Sequence, residues 1–111
     1  MEKIFRLEEK YKQDLKNIEK VEENLDFMRL DAHRKTYSMI EELLYYSRNQ
    51  SISEISPMIH QMNANVEEFD LYLKKCFHRL NEEREEVTTK YRKELEDLEE
   101  EYLKKKRDEN L

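Results

Sequence analysis

The sequence predicts an all-α fold, an antiparallel two-helix hairpin with coiled-coil-like packing, its helices spanning about 3–48 and 54–107 within a single domain, 1–111. Three observations carry that prediction. The 111 residues include no glycine and one proline, Pro57, so two long stretches contain no helix breaker. Charged residues make up 43% of the chain and hydrophobic ones 37%, too few for an ordinary globular core but enough for narrow apolar seams. Those hydrophobic residues recur at alternating three- and four-residue spacings, the a and d positions of a heptad.

In the first helix the seam is marked by Ile4, Leu7, Tyr11, Ile18, Val21, Leu25, Met28 and Ala32, interrupted where Asp14 takes a d position beside Leu15. Lys35 would hold the next d position, but the run resumes instead at Thr36, Ile40, Leu43, Leu44 and Ser47. Such a four-residue insertion is a stutter, which locally unwinds a supercoil.

Turn chemistry is confined to Ser47–Pro57, where polar capping residues surround the proline and the chain is expected to reverse. Two starts for the second helix compete. Ser51 with Glu54 three residues later forms a capping box, whereas Ser56 before Pro57 reads as an N-cap with proline at the first helical position. A start between Ser53 and Pro57 is preferred. From there Ile59, Met62, Val66, Phe69, Leu73, Cys76 and Leu80 keep heptad phase, and Glu83 interrupts it. Val87, Tyr91, Leu95, Leu98 and Tyr102 then carry the seam through a second slip.

Folding the helices about residues 51 and 52 pairs residue i with roughly 103 minus i. Tyr11 then meets Tyr91 and Arg92, and Met28 meets Lys75 and Cys76. Charge agrees in sign: residues 1–20 carry six bases and five acids, residues 81–111 twelve acids and eight bases. Asp14 and Glu83, costly at seam positions, fall near Lys90 and Lys20 and read as polar positions that set the register.

Chemistry is hard to assemble from this inventory. Without glycine there is no material for phosphate loops or nucleophile elbows, so no enzymatic activity and no cofactor are expected. His33, His60 and His78 lie far apart without a metal-binding spacing, and Cys76 sits on the seam without a nearby turn to activate it. A net charge of −6 disfavours nucleic acid and anionic membrane as partners. The basic cluster Lys104–Arg107 suits the negative end of a helix macrodipole. The opening Met1-Glu2-Lys3-Ile4-Phe5-Arg6 has no apolar signal region, and no run reaches the roughly 18 apolar residues of a membrane span. A cytoplasmic protein without membrane insertion is expected.

The informative deviation is a second stripe. Phe27, Leu30, Tyr37 and Leu44 fall on the face away from the Met28 and Ala32 seam, with Arg34 and Glu41 completing the three-four rhythm. On the second helix Leu71, Tyr72 and Phe77 also leave the inner seam. A hairpin has one buried interface, so Phe27, Leu30, Tyr37, Leu44, Leu71 and Phe77 are expected to bind a helical protein partner or a second copy of the chain.

Three segments give the chain a family resemblance: the opening Ile4-Phe5-Arg6-Leu7-Glu8-Glu9-Lys10-Tyr11, the helix end Leu43-Leu44-Tyr45-Tyr46-Ser47, and the closing Leu95-Glu96-Asp97-Leu98-Glu99-Glu100-Glu101-Tyr102. Over nearly its full length it resembles the small all-helical accessory proteins encoded beside LXG-domain toxins of the type VIIb secretion system in Gram-positive bacteria. The resemblance implies an adaptor or targeting chaperone that packs on the helical N-terminal domain of a toxin. A second small helical accessory protein would join it, and the chain could leave the cell with its cargo. A self-associating scaffold and an immunity protein, which would bind the toxin's C-terminal part, are the alternatives. The chain is similar in shape to the WXG family but has neither its Trp nor its Gly, and Tyr91-Arg92-Lys93-Glu94 is one residue short of the Tyr-x-x-x-Asp/Glu export signal.

Overall fold

The structure is a computed structural model and describes residues 1–48 and 52–110. Among these the chain is all-α, with α1 spanning Glu2–Tyr46 and α2 spanning Ile52–Glu109, the helical hairpin that the heptads predict. Two compact units are distinguished along it: a terminal unit of residues 1–21 with 79–111, and a central unit of residues 22–78.

The helix limits differ slightly from the sequence expectation. α1 stops at Tyr46, where Ser47 donates its backbone N–H to the Leu43 carbonyl at 3.1 Å and its hydroxyl to the same oxygen. The hydroxyl thus adds a second bond to a carbonyl that the backbone N–H already pairs, the i−4 back-bonding by which a serine side chain competes with the helix at its end. α2 begins at Ile52, earlier than the preferred start between Ser53 and Pro57, so Pro57 lies inside the helix instead of at its first position. It stands in the second turn, where it has no N–H to offer the Ser53 carbonyl. Asn49, Gln50 and Ser51, and with them the expected turn and the Ser51 cap, lie outside the described residues. At the far end Lys106 and Arg107 occupy the last turn of α2, where cations complement the macrodipole.

In the terminal unit the helices run antiparallel with the expected register. Tyr11 stacks on Tyr91 with ring centroids 4.1 Å apart and planes 7° from parallel, and its hydroxyl is hydrogen-bonded to Thr88 Oγ1 at 3.0 Å. Lys3 Nζ lies 4.0 Å from Glu101 Oε1, which sets the more basic end of the chain against the acidic one. Ile18 and Leu80 are buried. Asp14 and Glu83 line one groove with Asn17, Ile18, Val21, Leu80 and Val87. Asp14 and Lys90 line one groove with Tyr11 and Tyr91, as the register expects, while Lys90 Nζ also lies 4.0 Å from Glu94 along its own helix, an i, i+4 pair.

In the central unit Leu73, 1% exposed, is the most deeply buried large side chain, accompanied by Ile55 and Ser47. Ile55, which the heptads had not included, lies eighteen residues before Leu73, five full turns along the same face. His33 Nε2 reaches across to both carboxylate oxygens of Asp70, at 2.9 and 2.8 Å. Residue 70 is the one that the roughly 103-minus-i register places opposite residue 33.

Four hydrophobic seam assignments shift outward. Val21, Met28, Leu44 and Tyr102 are exposed, Met28 to 49%. At 100° per residue Val21 and Met28 lie about 60° and 80° round the helix from Ile18, towards the edge of the interface.

Two measurements test this packing. Leu73→Ala should cost about 2–5 kcal/mol in urea unfolding, whereas Leu71→Ala, two residues away and exposed, should stay within about 0.5 kcal/mol of wild type. Tyr91 has its pKa raised above 10.0, first by partial burial and then by the charges of Glu8, Tyr11 and Glu99. Its contribution to stability is therefore complete below the unfolded value and is lost as pH rises through the higher native one. Stability measured across that alkaline range should fall more steeply in wild type than in Tyr91→Phe.

Candidate docking surface

The second stripe is a consequence of helix geometry. Steps of three and four residues from Phe27 through Leu30, Arg34, Tyr37 and Glu41 to Leu44 keep all six on one slowly turning face of α1. That face lies away from the line of Ala32, Ile40 and Leu43, which are partly buried. All six stripe positions are exposed, Phe27 to 70% and Tyr37 to 65%. Every one belongs to the central unit.

Polar members of the stripe are ordered along the helix. The Tyr37 hydroxyl donates to the Glu41 carboxylate one turn on, and this bond, reinforced by the carboxylate's charge, raises the Tyr37 pKa. A carboxylate keeps a second oxygen for other donors. Beyond Leu44, Tyr45 and Tyr46 meet edge to face at 5.3 Å, and the Arg48 guanidinium stands 4.6 Å over the Tyr45 ring. Glu41, Glu42, Leu44, Tyr45, Tyr46 and Arg48 together line an open groove. The heptad seam includes neither tyrosine, and Leu44-Tyr45-Tyr46 holds the signal for an outer surface: at 100° per residue three consecutive bulky side chains cannot all face one seam.

α2 contributes less than the sequence suggests. Leu71 is exposed to 62% and lies about 200° around the helix from buried Leu73. Phe77 is half-buried, because it follows Leu73 by four residues and precedes Leu80 by three, which places it beside the seam and not outside it. Phe77 follows Leu71 by six positions, which puts the two about 120° apart round the helix, on different sides of it. The structure thus gathers Phe27, Leu30, Tyr37 and Leu44 on one line and leaves Leu71 and Phe77 apart from each other.

Among the described residues no group of three or more His, Cys, Asp or Glu side chains could hold a metal ion. No helix among them is long and apolar enough to cross a membrane. Cys76 is a half-buried free thiol. No protein-family model, curated protein or solved structure matches the chain.

If the stripe lies outside the fold's own packing, charge on it should be tolerated. Phe27→Glu and Tyr37→Glu should keep wild-type helicity and unfold within about 0.5 kcal/mol of wild type. Phe77→Glu, beside the seam, should cost several times more, because it buries an unpaired carboxylate. Circular dichroism in a urea titration measures both.

Proposed function

We propose that the chain is a non-enzymatic helical adaptor that works by helix-on-helix association. The observation that carries this reading is the exposed heptad line from Phe27 to Leu44. An apolar stripe in three-four rhythm is the pattern by which one helix packs along another, and all six positions of this one are exposed. Large apolar side chains on a solvated helix face are costly to solubility unless a partner covers them.

The resemblance to accessory proteins of LXG-domain toxins supplies the partner class: the helical N-terminal domain of such a toxin, bound in the cytoplasm and kept competent for export by the type VIIb secretion system. Its role would be to cover the toxin's apolar helices with its own. A companion accessory protein would share the same bundle.

Coexpression with the toxin encoded alongside it, followed by affinity capture, tests this reading. The full chain should retain the toxin's N-terminal helical domain, and the Phe27→Glu/Tyr37→Glu variant should lose it by at least about a hundredfold in Kd, the scale of removing two aromatic anchors. Capture of the toxin's C-terminal domain alone would contradict the adaptor reading and favour an immunity protein. Unchanged capture by the doubly substituted variant would contradict the assignment of the stripe.

A further inference from the structure

The stripe carries its two charges at opposite ends of its middle section. Arg34 stands in the N-terminal half and Glu41 in the C-terminal half, with Tyr37 between them bonded to Glu41. Set against a second copy in parallel, Arg34 would face Arg34 and Glu41 would face Glu41, a repulsive arrangement. Set antiparallel, the order reverses and each charge comes to lie near its opposite.

Pairing a with d positions in that antiparallel arrangement, as heptad seams do, aligns the whole stripe with itself. Phe27 meets Leu44 of the second copy, Leu30 meets the aliphatic stem of Glu41, and Arg34 meets Tyr37, each contact occurring twice about a two-fold axis. Arg34 can then lay its guanidinium over the Tyr37 ring and reach the Glu41 carboxylate one turn further on. Such a surface is self-complementary, the property an isologous interface requires.

We infer that, in the absence of another protein, the Phe27–Leu44 face of α1 is covered by a second copy of this chain, antiparallel, through reciprocal Arg34–Glu41 pairs. The contact runs over eighteen residues, about 27 Å of helix, which belongs at the small end of protein interfaces. The dimer is therefore a weak one, of micromolar class, that a longer helical partner displaces. This inference rests on the reading of the stripe as a docking surface but does not depend on that partner being a toxin.

Charge exchange tests it. Full-length wild type, R34E, E41R, an equimolar mixture of the two variants, and the doubly exchanged R34E/E41R chain are compared by sedimentation equilibrium, with circular dichroism to confirm that each is folded. Wild type should show a monomer–dimer equilibrium, and each single variant should associate at least about tenfold more weakly, because like charges then face each other. The mixture and the doubly exchanged chain should both regain the dimer, since each restores opposite charges at both contacts. A monomeric wild type, single variants that dimerise as well as wild type, or failure of both the mixture and the double exchange to restore the dimer would each overturn the inference. Toxin capture by a wild type that remains monomeric would overturn self-pairing alone, while a dimer that obeys charge exchange but captures no toxin domain would overturn the toxin reading alone.

Discussion

A helix in a pair can bury only the side it turns towards its neighbour, and every other feature of this chain follows from that limit. Two helices offer one shared interface, and the sequence fills it with a narrow line of Ile, Leu, Val and Tyr side chains in heptad rhythm. Within the central unit Leu73 and Ile55 occupy that line, and within the terminal unit Ile18 and Leu80 do. Apolar residues beyond the line have no second layer to enter. Where they are scattered this is ordinary surface, but between Phe27 and Leu44 they keep a periodicity of their own.

Polar groups between the helices fix which residues meet. Apolar heptads alone would tolerate a slip by one repeat, since Leu facing Leu is much the same one heptad along. The Tyr11 hydroxyl on Thr88 and the His33 ring on Asp70 each need one particular residue across the interface. A slip of seven residues would break both bonds and leave a half-buried hydroxyl without its partner, at a cost of about 1–3 kcal/mol for such a group. The face-to-face stack of Tyr11 on Tyr91 adds a geometric requirement of the same kind.

Much of this was legible in the sequence because it depends on periodicity, and periodicity survives without coordinates. The heptads gave the all-α hairpin, and a register fixed by the turn put Tyr11 opposite Tyr91 and residue 33 opposite residue 70. What escaped depends on rotation and on local competition between bonds. Heptad lettering holds Met28 in the seam indefinitely, whereas the real helix has turned it towards the edge. Leu71 and Phe77 looked alike as departures from the seam, yet counting turns separates an outward residue from one wedged beside Leu73 and Leu80. Lys90 had two carboxylates within reach and pairs with the one on its own helix. Of the candidate surface, the α1 portion was readable as a second three-four series, and the α2 portion was not.

An inner line of side chains packs the helix pair, and an outer line from Phe27 to Leu44 stays exposed. Hydroxyl-radical footprinting of the dilute full-length chain, with modification read residue by residue, measures that separation directly. Phe27, Leu30, Tyr37 and Leu44 should be modified rapidly while Ile18, Leu73 and Leu80 are protected, and on complex formation the first set alone should become protected. Protection of Phe27 and Tyr37 in the dilute free chain, or modification of Leu73 at the same rate as theirs, would contradict it.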